Sequence, residues 1–196
     1  MKHFYLVLIA AVIFRAHGQE DPLYAQYLSN PLVINPAYSG LNNNLNGSVS
    51  YRKQWAGFDG APTTLNASVH TALANNKMGL GALVISDKIG ANNNTEAYLT
   101  YAYRLKLTRA FLSFGLQGGF IQYRTNNNEL NPYDQTDPLF NTNFSIIKPG
   151  FGAGLMLHSE RFLIGISAPR LLQPEVQLGN TANAVETALY QQHYYA

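Results

Sequence analysis

The sequence predicts an all-β protein, an antiparallel transmembrane β-barrel of the outer-membrane type, preceded by a segment that is not strand. Three observations predict it. Apolar residues recur at period two over stretches long enough to cross a bilayer. Tight and longer connections alternate along the chain, as they do where one side of a barrel carries turns and the other carries loops. Past the N-terminus, no segment approaches the roughly 20 apolar residues that a membrane helix requires.

Composition agrees with strands. Of 196 residues, 46% are apolar and only 12% are charged, about half the charge of an ordinary domain. Asn, Gln, Ser, Thr, Tyr and Gly make up the difference. Thirteen Tyr and ten Phe stand against one Trp, and aromatic residues suit a pleated surface. A formal net charge of +2 is too small to argue for nucleic acid. The chain has no cysteine, which excludes disulfides, thiol catalysis, a cysteine zinc site and a lipoprotein anchor.

Residues 1–18, MKHFYLVLIAAVIFRAHG, read as a secretory signal: Lys2, an apolar core from Phe4 to Phe14 too short to span a bilayer, and the small-x-small cleavage site Ala16-His17-Gly18. Residues 19–45 form an N-terminal periplasmic or plug segment, and 46–196 the barrel. Within the segment, NPLVINPAYSG (Asn30–Gly40) carries two Asn-Pro steps. Its prolines deny it a helix interior and a paired strand. The expectation is a fixed extended plug that buries Leu32, Ile34 and Tyr38. Its spare backbone groups would bond lumen side chains such as Asn66 and His70.

The strands follow in order. Ser48–Trp55 is the weakest, with Lys53 on its aromatic face. Thr63–Leu73 places Leu65, Ala67, Val69, Thr71 and Leu73 on one face and Asn66, Ser68, His70 and Ala72 on the other. The apolar run Met78–Ile85 contains two glycines. Thr95–Leu107 turns Ala97, Leu99, Tyr101, Tyr103, Leu105 and Leu107 one way, and Glu96, Thr100, Arg104 and Lys106 the other. Phe111–Tyr123 alternates large residues with Ser113, Gly115, Gln117 and Gly119. Phe151–Leu157 and Arg161–Ala168 complete the series. Tight turns are expected at 74–77, 108–110 and 158–161. Longer links are expected after Trp55, over DKIGANNN (Asp87–Asn94), and from Arg124 to Lys148. If the tight turns are periplasmic, the first strand runs outward. About seven strands do not close a single-chain barrel, which takes an even number, and Tyr190, Tyr194 and Tyr195 read as the aromatic entry to one more, unfinished strand, so a C-terminally truncated copy is expected; the alternative is a complete small barrel with an eighth strand that the alternation does not reveal.

Motifs for chemistry are weak. The glycines at 79–81 and 150–154 sit inside strands, not before a helix that could hold phosphate, and read as close packing or bending. His70, His158 and His193 lack metal-ligand spacing. Asp134 and Asp137 lack the oxygen spacing of a calcium loop. No catalytic residue, cofactor or metal is expected. In the first long loop, Trp55, Phe58 and Asp59 are candidate contacts for a partner, against the plainer reading of a girdle Trp on a rigid turn.

Two motifs go further. DPLYAQYLSNPLVINPAYSG (Asp21–Gly40) and YRKQWAGFDGAPTT (Tyr51–Thr64) closely resemble the hallmarks of the PorP/SprF family. GLGALVISDKIG (Gly79–Gly90) and FGAGLMLHSERFLIGISAPRLLQP (Phe151–Pro174) add to the likeness. The resemblance implies a non-enzymatic outer-membrane barrel of Bacteroidota, exported through its signal peptide and surrounded by outer-membrane lipid. It also implies partners: type IX secretion components and a secreted cargo with a C-terminal sorting domain, often a large adhesin, with a link to gliding motility. Two other readings share the strands: a passive porin-like channel, and a soluble periplasmic β-barrel that binds a small apolar ligand inside an apolar lumen.

Overall fold

The computed structural model describes residues 30–42, 44–55, 57–58, 60–73, 75–126, 143–172, 175–178 and 186–189. The expected signal peptide, the first part of the N-terminal segment, Asp59, Asp134, Asp137, His193 and the tail from Tyr190 lie outside them.

Seven strands form one antiparallel sheet in chain order: β1 Asn46–Lys53, β2 Thr63–Leu73, β3 Met78–Ile89, β4 Asn92–Lys106, β5 Phe111–Thr125, β6 Phe144–His158 and β7 Leu163–Ala168. Two short strands, β8 Glu175–Leu178 and β9 Glu186–Leu189, make a separate ladder. The long strands β4, β5 and β6 have 15 residues each. At about 3.4 Å per residue that is roughly 50 Å of chain, enough to cross a bilayer core at a steep tilt.

The sheet curls into a half-barrel. The curl is evident from what one short segment touches. Residues 30–40 bond to β2 through Asn66 and His70, to β4 through Thr100 and Arg104, to β6 through Leu155, and to β7 through Ile166 and Ser167. Only a concave wall brings those strands to one segment. Because β1 and β7 are an even number of antiparallel steps apart, they run in the same direction. A wholly antiparallel closure therefore needs an odd number of further strands between them.

The faces are inverted relative to a water-soluble barrel. Concave positions hold Asn66, Ser68, His70, Glu96, Thr100, Arg104, Ser113 and Gln117, all buried. The convex face holds Val49, Leu65, Val69, Leu80, Val84, Leu99, Leu116, Phe120, Phe151 and Ile166, all exposed. Neighbours on β4 show the contrast: Leu99 is 72% exposed and Thr100 is 2% exposed. An apolar surface that runs across the seven-stranded sheet far exceeds what a solvated monomer carries. It is the arrangement of lipid-facing and lumen-facing residues in membrane barrels. The soluble-barrel expectation required an apolar lumen and a polar exterior; the exterior is apolar instead, and the concave face is mixed, its polar residues surrounding one apolar cluster of Leu83, Ile85, Tyr98, Ile121 and Tyr123.

Three expectations about connections need correction. The stretch Asp87–Asn94 is not a loop. β3 runs to Ile89, Asn92 already pairs with it, and the turn is Gly90-Ala91 with Gly90 at φ 56. Strict alternation of short and long links therefore fails there. The side with links at 74–77, 107–110 and 159–162 is uniformly tight, whereas the other side mixes 54–62, 90–91 and 126–143. β6 also starts at Phe144, seven residues before the expected Phe151, and carries Pro149 in its interior. Pro149 is tolerated because β7 pairs only with Ala153–His158. Over residues 144–152 the β6 ladder is one-sided, and an open edge does not need the missing N–H.

Candidate functional site: a plug seated in a glycine-lined cradle

The stretch Asn30–Gly40 is not extended. Each Asn-Pro step opens a short 3-10 turn, Pro31–Val33 and Pro36–Tyr38. Proline forbids a helix interior but suits the first helical position, where its missing N–H has no partner to lose. Asn35 caps the second turn by accepting from the Ala37 N–H at 2.9 Å. Further bonds run from Ile34 N–H to the Pro31 carbonyl at 3.1 Å and from Tyr38 N–H to the Asn35 carbonyl at 3.1 Å. The segment thus satisfies much of its backbone internally and can be buried without joining a ladder.

Its remaining polar groups meet the wall. Asn30 donates to Asn66 Oδ1 at 3.1 Å and accepts from Ser68 at 3.1 Å. The Gly40 N–H donates to His70 Nδ1 at 2.9 Å, and the Tyr38 ring stands edge-on to the same imidazole at 5.6 Å. Ser39 Oγ bonds Thr100 Oγ1 at 2.7 Å, and Arg104 Nη2 donates to the Ser39 carbonyl at 2.7 Å. Asn35 Nδ2 reaches the Leu155 carbonyl at 3.1 Å, and Ser167 Oγ donates to the Ile34 carbonyl at 2.8 Å. Leu32 is fully buried among Leu83, Ile85, Tyr98, Ile121 and Tyr123, with Tyr38 half-buried beside them; Ile34 is half-buried.

Glycines in the wall make this approach possible. A Cβ on Gly79 would collide with the Ser39 carbonyl, one on Gly115 with the Ala37 backbone, and one on Gly154 with the Asn35 side chain. Gly79 and Gly154 belong to the two glycine clusters at 79–81 and 150–154; their role, like that of Gly115, is to let the plug approach the wall closely.

With the fold and cradle defined, known proteins bear on the chain. The family model described as type IX secretion system membrane protein PorP/SprF matches residues 16–196. The chain belongs to the PorP/SprF family. No curated protein and no solved structure matches it.

In this PorP/SprF chain a second inward element braces the cradle. After β7, Pro169 turns its carbonyl into the concavity, where Gln117 Nε2 donates to it at 2.9 Å. Arg170 then forms an ion pair with Glu96 on β4, and Tyr98 donates to Glu96 Oε2 at 3.1 Å. Sequence reasoning missed this pair, because Glu96 and Arg170 are 74 residues apart and no periodicity connects them.

The candidate contact loop sits at the opposite end of β1. Trp55 is 70% exposed and Phe58 75% exposed. Trp55 has φ 50, a left-handed conformation that is uncommon for a bulky residue and marks stored local strain. The turn is held by Phe58 N–H to the Trp55 carbonyl at 3.2 Å and Gln54 N–H to the Pro62 carbonyl at 2.9 Å. Among the described residues no group of three or more His, Asp or Glu is placed to hold a metal ion.

Proposed function

We propose that the chain is an outer-membrane β-barrel accessory of type IX secretion. In this reading it assists secretion or surface attachment of a cargo such as a large adhesin, and through it gliding motility. Family membership supports the secretion role. The observation that carries the finer reading is the filled concavity beneath an apolar exterior: a wall built to hold residues 30–40 and the Glu96–Arg170 brace is suited to a docking scaffold rather than to an open pore. Its partners are type IX components, a cargo bearing a C-terminal sorting domain, and outer-membrane lipid. The signal peptide at 1–18 directs export. Exposed Trp55 and Phe58, with Asp59 next in sequence to Phe58, are the residues proposed to meet the partner.

A photo-crosslinker at position 58, in cells secreting type IX cargo, tests the reading. Cross-links to cargo or to a secretion component are expected, together with loss of surface cargo in a deletion strain and its restoration by the gene. Normal cargo display without the protein, and steady conductance of the purified protein in planar bilayers, would favour the passive-channel reading instead.

A further inference from the structure

The tight-turn mouth of the half-barrel contains a cavity of about 450 Å3. Lys77, Arg104, Lys106 and His158 line it with Asn75 and Asn76, and among the described residues no Asp or Glu does. The turn at 75–77 is fixed: Asn75 and Asn76 lie at φ 54 and 66, and the Arg104 N–H donates to the Lys77 carbonyl at 2.8 Å. Arg104 is buried, and its guanidinium is held by two carbonyls, those of Asn76 at 3.2 Å and Ser39 at 2.7 Å. Carbonyls solvate that charge without neutralising it. His158 is held flat against Phe111, with ring centroids 5.2 Å apart.

Elsewhere in the concavity Arg170 is paired with Glu96. Here three cations share one cavity, in a chain whose formal net charge is only +2. Among the described residues neither Lys77 nor Lys106 has an ion-pair partner. Like charges around a low-dielectric concavity repel one another and focus a positive potential into it. A bound anion relieves both. A monocarboxylate offers one charge and two acceptor oxygens, whereas a phosphate group offers up to two charges and acceptors on every face, which suits cations arranged around a cavity.

We propose that this mouth pocket binds a phosphate group, with Lys77 and Lys106 as its mobile cations and Arg104 as the fixed positive floor that also holds the plug at Ser39. The phosphate comes either free in solution or on a lipid headgroup. The test uses the full chain refolded in an uncharged maltoside detergent and titrated calorimetrically with inorganic phosphate. In parallel, the chain is placed in nanodiscs of mixed phosphatidylcholine and phosphatidylglycerol, and retained lipids are counted by native mass spectrometry. Saturable phosphate binding, weakened at least tenfold in Lys77→Gln/Lys106→Gln, assigns the free source. Retention of phosphatidylglycerol by the wild type and its loss in the double variant assigns the headgroup. Folding is checked by the heat-dependent gel shift of the barrel; should the double variant not fold, Lys106→Gln alone takes its place, with about threefold weakening expected. Absence of binding in both arms, or equal binding by wild type and variant, overturns the proposal.

Discussion

Replacing Gly40 by alanine tests the seating of the plug at a single atom. Gly40 has φ +67, and an added Cβ would lie 2.6 Å from the Thr71 carbonyl oxygen, 2.7 Å from Arg104 Nη2 and 2.9 Å from Ala72 Cα. Ordinary contact begins near 3.4 Å, so the shortfall against Thr71 is 3.4 − 2.6 = 0.8 Å. Two of the three neighbours are backbone, which cannot swing away. The left-handed conformation costs about 1–2 kcal/mol for a residue with a Cβ, and overpacking costs about 1–3 kcal/mol. Displacing the Gly40 N–H from His70 removes roughly 1 kcal/mol more. A loss of at least about 3 kcal/mol is therefore expected in the docking of residues 36–41. Hydrogen exchange reads it directly: the amides of 37–41 should exchange at least about a hundredfold faster, since 1.4 kcal/mol is a factor of ten. The β4–β5 ladder amides should be little changed. Gly47→Ala is the control, because its Cβ would meet nothing closer than the Ser68 carbonyl at 3.9 Å. Unchanged protection in Gly40→Ala would refute the cradle reasoning.

Two further predictions concern the interior. Glu96→Gln or Arg170→Gln alone should lower stability to urea by about 3 kcal/mol, because each removes one member of an ion pair largely shielded from water. The double variant should lose less than the sum, and strict additivity would mean that the pair is not made in the folded protein. Leu32→Ala should cost about 2–5 kcal/mol, since Leu32 is fully buried and its neighbours Leu83 and Ile121 are held on rigid strands that cannot collapse onto the space; a cost below about 1 kcal/mol would mean that the segment does not pack there in solution.

Much of the wall was legible from period two alone. Thr63–Leu73 has the bounds its alternation predicts, and Asn66, Ser68 and His70 face inward as their spacing requires. The misses have separate physical causes. Asn92–Asn94 have low strand propensity, yet they pair with Ile89, Lys88 and Asp87 because a two-residue turn extends an established ladder, and pairing outweighs propensity. Pro149 reads as a strand breaker, but whether β6 has an edge at that level depends on where β7 stops. In NPLVINPAYSG the prolines were read for what they forbid rather than for the turn start they favour. The ion pair of Glu96 with Arg170 depends wholly on curvature, which no local pattern encodes.

The central claim is that the exposed face of this sheet meets lipid while the polar face surrounds the plug. A chain without cysteine permits a single-cysteine spin-label scan along β4 from Ala97 to Ala102 in reconstituted vesicles. The account predicts strong relaxation by lipid-soluble oxygen at 97, 99 and 101. It predicts protection from both oxygen and a water-soluble nickel complex at 98, 100 and 102. Preferential relaxation of positions 97, 99 and 101 by the nickel complex would contradict it.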